Sequence, residues 1–133
     1  MARVLLTEDD EAVRGFVHRA LELEGHDVTL AEDGAQAVDI LKREGGRFDL
    51  LLSDIRMPVM DGIALALNAA RDWPSLTILL MTGYADQRER AHGLEDLVHD
   101  VVTKPFSLAD IRAAVAGALG EASQPRKRAS AGG

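Results

Sequence analysis

The segment Leu50-Leu51-Leu52-Ser53-Asp54 is a continuous apolar run that ends in two polar residues. Two further runs, Val4-Leu5-Leu6 and Ile78-Leu79-Leu80-Met81, have the same form and are also followed by polar residues. Continuous apolar runs of this length are typical of strands that are buried on both faces of a parallel sheet. We therefore expect these three segments to be the central strands of such a sheet.

Two weaker strand patterns complete the predicted sheet. Residues 27–31 alternate in polarity as an edge strand does, and Val101-Val102 is a short apolar pair that fits the opposite edge. Helical periods of apolar residues separate the strands, which predicts right-handed crossovers with helices on both faces. The sequence thus predicts an α/β fold, a doubly wound five-stranded parallel sheet with the flavodoxin-like strand order 2-1-3-4-5.

The sequence also indicates where helices begin and end. Asp33 and Ser107 are expected N-caps, because short polar side chains accept hydrogen bonds from the first free N–H groups of a helix. Gly25 stands where the first helix is expected to end. The polar segment 86–96 is the weakest of the helix predictions.

Composition limits the class of protein. The chain has 133 residues, enough for one domain, and no cysteine, which excludes disulfide frameworks and thiolate zinc sites. Its formal charge of −7 argues against nucleic-acid binding. No apolar stretch reaches the roughly 18 residues of a membrane span, so no membrane partner is expected and the cytoplasm is the expected location. We predict one folded domain over residues 1–119 and a disordered basic tail over residues 120–133.

Polar residues follow four of the predicted strands. In an open parallel sheet, ligands bind beyond the carboxyl ends of the strands. The residues at those positions are Glu8-Asp9-Asp10, Ser53-Asp54, Thr82-Gly83 and Thr103-Lys104-Pro105. Carboxylates, a hydroxyl group and an ammonium group are therefore expected to face one another at one edge of the sheet.

These residue types suit phosphoryl transfer. Asp10 and Asp54 make an all-oxygen site, with Asp9 close enough to add charge, and hard oxygen ligands of this kind suit Mg²⁺. Lys104 can pair with a carboxylate or a phosphoryl oxygen, and the Thr82 hydroxyl can donate to a phosphoryl oxygen. A carboxylate nucleophile, a metal and a cation are what phosphoryl transfer to a carboxylate requires.

Four motifs resemble those of one family. Asp54-Ile55-Arg56-Met57-Pro58-Val59-Met60-Asp61-Gly62 is similar to the D-x-x-M-P-x-M-D-G pattern of CheY-like response-regulator receiver domains in two-component signalling. Leu5-Leu6-Thr7-Glu8-Asp9-Asp10 resembles the acidic first loop of that family. Met81-Thr82-Gly83 and Lys104-Pro105-Phe106 resemble its last two motifs. The match covers Ala2 to about Leu119, in order and in spacing.

The resemblance implies roles for the carboxylates. Asp54 would be the phospho-acceptor. Asp10 and Asp54 would ligate Mg²⁺, with the backbone carbonyl of Arg56 as a third protein ligand and Asp9 in the outer shell.

The resemblance also implies a switch, with one departure from the usual pattern. Lys104 would contact the phosphoryl group, and Thr82 would be the switch hydroxyl. The family's switch aromatic usually sits three residues before the lysine, where this chain has Val101. Tyr84 instead follows two residues after Thr82, which resembles a minority of receivers with a T-G-Y or T-G-F loop, including stand-alone ones of the CpdR type. Tyr84 is therefore a candidate switch residue.

The implied function is signalling rather than enzymatic turnover, with limited self-catalysed phosphorylation and dephosphorylation. Asp54 would take a phosphoryl group from a histidine kinase or a histidine phosphotransfer protein, and the acyl phosphate would shift an equilibrium between two conformers. We expect no output domain, so a downstream effector protein is the expected reader. A phosphate shuttle or sink in a phosphorelay is the alternative.

Other interpretations stay open at this point. Asp9-Asp10 could cap the first helix instead of binding a metal. A Mg²⁺-dependent phosphohydrolase would place a general acid/base carboxylate two residues after the nucleophile, where this chain has Arg56. A nucleotide-binding module would need a Gly-rich first turn, which residues 7–11 do not provide.

Overall fold

Strands and helices alternate through most of the chain in the computed structural model, which describes residues 2–83, 94 and 97–122. The strands are β1 (Arg3–Thr7), β2 (Asp27–Ala31), β3 (Leu50–Asp54), β4 (Thr77–Thr82) and β5 (Asp100–Thr103). The helices are α1 (Glu11–Leu23), α2 (Gly34–Arg43), α3 (Gly62–Asp72) and α4 (Leu108–Ala122).

The sheet has the predicted strand order. All neighbouring strands are parallel, and the order is β2-β1-β3-β4-β5. The three continuous apolar runs lie in the central strands β1, β3 and β4, and the two weaker patterns lie at the edges. The predicted α/β, doubly wound fold is therefore confirmed. This order brings the carboxyl ends of β1, β3, β4 and β5 to one edge of the sheet, where the polar residues follow.

Two hydrophobic cores lie on opposite faces of the sheet. Successive strand residues point to opposite faces, so Leu5 and Leu51 pack in one core while Leu6 and Leu52 pack in the other. The first core includes side chains of α2 and α3, and the second includes side chains of α1 and α4. Each fully buried leucine contributes about 1.5–3 kcal/mol to folding. The cores therefore hold the strand ends in fixed positions.

The predicted helix ends are confirmed. Asp33 Oδ1 accepts a hydrogen bond from the Gln36 N–H at 2.8 Å. Ser107 Oγ accepts one from the Asp110 N–H at 3.0 Å, and Asp110 Oδ2 accepts one from the Ser107 N–H at 2.9 Å. Gly25, just past α1, has φ +87°, a conformation that glycine adopts without strain.

The C-terminal boundary differs slightly from the expected one. Helix α4 continues through Ala122, three residues past the boundary predicted at residue 119. Residues 123–133 lie outside the described part of the chain, so the disordered tail stays a prediction. Most of the predicted helix in segment 86–96 also lies outside it. None of the helices within the described ranges is long and apolar enough to cross a membrane.

Candidate functional site

Asp54 is held at the carboxyl end of β3, at the centre of the site. Its side chain is almost fully buried, and its Oδ1 accepts a hydrogen bond from the Ile55 N–H at 3.0 Å. The hydroxyl of Ser53 donates to the Asp54 carbonyl oxygen at 2.8 Å. On the other side, the Gly62 N–H donates to the Ile55 carbonyl at 2.7 Å, which places the start of α3 directly against the end of β3. Hydrogen bonds therefore hold Asp54, the predicted phospho-acceptor, in place at the end of β3.

Lys104 reaches across the sheet from the end of β5. Its Nζ lies 3.1 Å from Asp54 Oδ1 and 3.4 Å from Glu8 Oε1. Burial alone lowers the pKa of Lys104, but the attraction of the Asp54 and Glu8 carboxylates outweighs it and raises the pKa above its usual value. The ammonium group therefore stays charged between the acidic side chains of Asp54 and Glu8, which come from the ends of two different strands.

Three carboxylates form an acidic cluster, which we define as Glu8, Asp9 and Asp54. One oxygen from each lies within 4.8 Å of the others. Glu8 is buried, whereas Asp9 is exposed. The predicted gathering of carboxylates from β1 and β3 is therefore present, but with Glu8 and Asp9 as the members from the first loop.

Asp10 has a different place from the one expected. Its Oδ1 accepts a hydrogen bond from the Val13 N–H at 3.0 Å, so Asp10 is the N-cap of α1. Its own N–H donates to Glu8 Oε2 at 3.1 Å. The acidic cluster therefore contains Asp9 and not the expected Asp10, because strand β1 ends at Thr7 and the helix already begins at Glu11. A metal-ligand role for either aspartate stays a prediction. The capping alternative for Asp10 was visible in the sequence, whereas Glu8 was expected at this edge of the sheet but was given no role of its own.

The acidic cluster changes the titration of Glu8. Burial raises its pKa from 4.5 to about 8, and the nearby negative charge of Asp54 acts in the same direction. The hydrogen bond from the Asp10 N–H and the charge of Lys104 oppose this shift without cancelling it. Without a bound cation, the folded protein therefore holds a proton on Glu8 near neutral pH.

We expect this proton to make the metal-free protein less stable as the pH rises. Between pH 4.5 and about 8, the folded chain keeps a proton on Glu8 that the unfolded chain has released. The stabilising contribution of that proton is complete below pH 4.5 and is lost as the pH rises through 8. The measurement is urea unfolding in EDTA from pH 5 to 9, wild type against Glu8→Gln. The free energy of unfolding of Glu8→Gln should rise relative to that of the wild type as the pH increases. A difference between the two proteins that does not change with pH would contradict the assignment.

Thr7, the last residue of β1, carries a hydroxyl that the structure leaves unused. Its Oγ1 is buried and has no hydrogen-bond partner within the described part of the chain. The neighbouring residue in register, Ser53, uses its hydroxyl to donate to a carbonyl. We expect Thr7→Val to stabilise the protein by about 1 kcal/mol, because it removes an unsatisfied buried polar group, and Ser53→Ala to destabilise it by a similar amount. Urea unfolding measures both changes, and a destabilising Thr7→Val would contradict the assignment.

The loop between β3 and α3 is held at two points. At its end, Gly62 bonds to Ile55, and in its middle the Gly34 N–H at the start of α2 donates to the Met60 carbonyl at 3.1 Å. Between these points the exposed Val59 has φ +69°, which is unusual for a β-branched residue. The loop that contains Arg56 is therefore constrained by its neighbours.

The remaining predicted residues have mixed outcomes. Thr82 is buried at the end of β4, and its carbonyl accepts a hydrogen bond from the Lys104 N–H at 2.7 Å, so both residues lie side by side as predicted. Arg56 is exposed two residues after Asp54, and a metal-ligand role for its carbonyl stays a prediction. Val101 is half-buried in β5 and packs against the core. Tyr84 lies outside the described residues, so its switch role also stays a prediction.

Known proteins are similar to this chain in sequence and in fold. A protein of the same length class, the response regulator receiver protein CpdR of Brucella abortus (strain 2308), is 42% identical over 111 residues, which are 84% of this chain and 91% of CpdR. Response regulator MprA of Mycobacterium avium (strain 104) is 35% identical over 111 residues, and this chain spans only about half (48%) of its length. The crystal structure of response regulator TrrA from Thermotoga maritima, in complex with Mg²⁺-BeF, has a TM-score of 0.79 and 27% identity, and the match covers 90% of this chain and 100% of TrrA.

The family model agrees with these relatives. The model of the response regulator receiver domain matches residues 4–116, which include every described strand except the first residue of β1. The site geometry, the strand order and this match all support the same family assignment. The chain belongs to the family of response-regulator receiver domains.

Proposed function

We propose that Asp54 accepts a phosphoryl group from a phosphohistidine of a histidine kinase or histidine phosphotransfer protein, and that the acyl phosphate changes the conformation and partner binding of the domain. The observation that carries this proposal is the 3.1 Å contact between Lys104 Nζ and Asp54 Oδ1 beside the acidic cluster. A buried carboxylate at a strand end, paired with a lysine from another strand, is a nucleophile with a cation already beside it.

The transfer needs no further covalent chemistry. A carboxylate oxygen of Asp54 forms a bond to phosphorus as the phosphorus–nitrogen bond of the donor breaks, and the electrons of that bond stay on the donor imidazole. The Lys104 ammonium group lies where it can offset the charge on the phosphoryl oxygens, because it already lies against Asp54. The hydroxyl of Thr82, at the end of the adjacent strand, is the group we assign to bind a phosphoryl oxygen afterwards.

The acidic cluster fits Mg²⁺. All its donor atoms are oxygens. The pKa of Glu8 is raised first by burial and second by the negative charge of Asp54, and a bound cation would offset that charge. We propose that Asp9 and Asp54 supply the carboxylate ligands, with Glu8 beside them and the Arg56 carbonyl as the third protein ligand. Bound Mg²⁺ would supply positive charge to the phosphoryl oxygens. The Mg²⁺-BeF complex of TrrA supports this choice of metal.

An apolar pocket beside the site is where we propose that the phosphodonor protein docks. It has a volume of about 380 Å³ and opens next to Lys104; its other lining residues are Ala12, Val13, Phe16, Pro105 and Phe106. The rings of Phe16 and Phe106 stack with their centres 6.4 Å apart, which joins α1 to the loop after β5. An apolar side chain of the donor in this pocket would bring its phosphohistidine to the mouth of the site.

Acetyl phosphate labelling tests this function. We expect incubation with acetyl phosphate and Mg²⁺ to add a single phosphoryl group to each chain, on the peptide that contains Asp54. EDTA should prevent this labelling. A Mg²⁺-dependent phosphohydrolase would instead turn over phosphate monoesters many times per chain. An adduct on another residue, or labelling that is insensitive to EDTA, would contradict the proposal.

A further inference from the structure

The turn between β1 and α1 supplies two of the three carboxylates of the acidic cluster. Besides the contact with Lys104 Nζ, three hydrogen bonds that involve backbone atoms hold Glu8 in this turn. The Glu8 N–H donates to the Ala31 carbonyl at 3.1 Å, and the Asp10 N–H donates to Glu8 Oε2 at 3.1 Å. The third bond comes from α1, where Arg14 Nη1 donates to the Glu8 carbonyl oxygen at 2.8 Å. The third bond is the one that ties the turn to a side chain of the following helix.

We propose that Arg14 is a positioning residue for Asp9, an inference that rests on the proposed binding of Mg²⁺ to the acidic cluster. The Glu8 carbonyl and the Asp9 N–H belong to one planar peptide unit, so holding the carbonyl fixes the orientation of the whole plane. That plane sets the direction in which the Asp9 side chain leaves the backbone. Asp9 is exposed, so the backbone of this turn has to aim its carboxylate toward Asp54.

The guanidinium group of Arg14 is suited to this task. Its planar fork keeps a fixed donor geometry, and the side chain is half-buried along the helix, which restricts its motion. Residues that orient the ligands of a metal typically change its affinity by about 10–100-fold when they are replaced. Arg14 would therefore act on the metal through the backbone, without touching it.

The direction of the effect separates positioning from simple electrostatics. Arg14 carries a positive charge near a site for a cation, so removing that charge alone would strengthen Mg²⁺ binding. If Arg14 positions Asp9, its removal weakens Mg²⁺ binding instead. The two explanations thus predict opposite signs for the same substitution.

The test is a Mg²⁺ titration of the folded protein, followed by NMR through the amide shifts of residues 8–10 and 54. Arg14→Met keeps the apolar stem and removes both the charge and the donor, and we expect it to weaken Mg²⁺ binding about tenfold. Arg14→Lys keeps the charge and one flexible donor and should fall between Arg14→Met and the wild type. Arg19→Ala, at an exposed arginine on the same helix, is the charge-matched control and should not weaken binding.

Each outcome is decisive. Binding by Arg14→Met that equals or exceeds that of the wild type would overturn the positioning role while the wild type still binds Mg²⁺. A wild-type protein whose shifts do not respond to Mg²⁺ would overturn the proposed metal site itself, and the positioning role with it. Weaker Mg²⁺ binding by Arg14→Met, together with unchanged Mg²⁺ binding by Arg19→Ala, would support the proposal.

Discussion

Replacing Asp54 with asparagine is expected to reduce phosphorylation by acetyl phosphate and Mg²⁺ to background. An amide has no nucleophilic oxygen comparable to a carboxylate, and the other two carboxylates of the acidic cluster come from the turn after β1 and not from the end of β3. Asparagine has nearly the same shape, and its carbonyl oxygen can still accept the hydrogen bond from the Ile55 N–H. The loss should therefore be chemical and not structural.

A matched substitution controls for the loss of one negative charge. Asp39 is an exposed aspartate on α2, and Asp39→Asn should be labelled like the wild type. Intact-mass spectrometry measures the fraction phosphorylated, and thermal unfolding checks that Asp54→Asn is folded. Undiminished labelling of folded Asp54→Asn would place the acceptor on another residue.

Gly62→Ala is expected to destabilise the protein by about 3 kcal/mol or more and to impair phosphorylation as well. A Cβ at this position would lie 2.1 Å from the Asp54 carbonyl oxygen and 2.8 Å from the Ile55 Cα. Both atoms are backbone atoms at the end of a central strand, so neither can move aside as a flexible side chain could. Helix α3 would have to move away from β3, which breaks the 2.7 Å bond from the Gly62 N–H to the Ile55 carbonyl.

Gly117 provides the opposite case. It lies in the middle of α4, and a Cβ added there would meet no heavy atom within 4 Å. Gly117→Ala should stabilise the protein by about 0.5–1 kcal/mol, because alanine has the higher helix propensity. Urea unfolding of both variants measures the contrast. A Gly62→Ala variant as stable as the wild type would show that α3 is not held against β3.

The sequence carries most of the information about the fold. The apolar runs in β1, β3 and β4 lack alternation because helices cover both faces of the sheet, and that pattern is hard to produce in any other way. The most apolar runs are predicted to be the central strands, because an edge strand has a neighbouring strand on one side only and is more exposed to solvent. Capping residues such as Asp33 were predictable because their chemistry is local, a side-chain oxygen three residues before an N–H group.

The first acidic loop is where the prediction from sequence was incomplete. Residues 8–11 are four consecutive carboxylates, and composition alone does not say where β1 ends and α1 begins. A shift of one residue decides which aspartate lies in the acidic cluster and which one caps α1. The contact between Glu8 and Lys104 joins residues 96 positions apart, and it depends on side-chain length and burial that only the folded structure supplies.

The 96-residue separation between Glu8 and Lys104 has a consequence for how the protein is made. Ribosomes add about 5–20 residues per second, so the lysine is synthesised roughly 5–20 seconds after the glutamate. During that interval the nascent chain contains Asp54 and the other two carboxylates of the acidic cluster without Lys104, which contacts Asp54 and Glu8 in the folded protein. Under the proposed function, a translation product that ends before β5 would carry Asp54 without Lys104, so we expect competence to accept a phosphoryl group only after synthesis has passed the fifth strand.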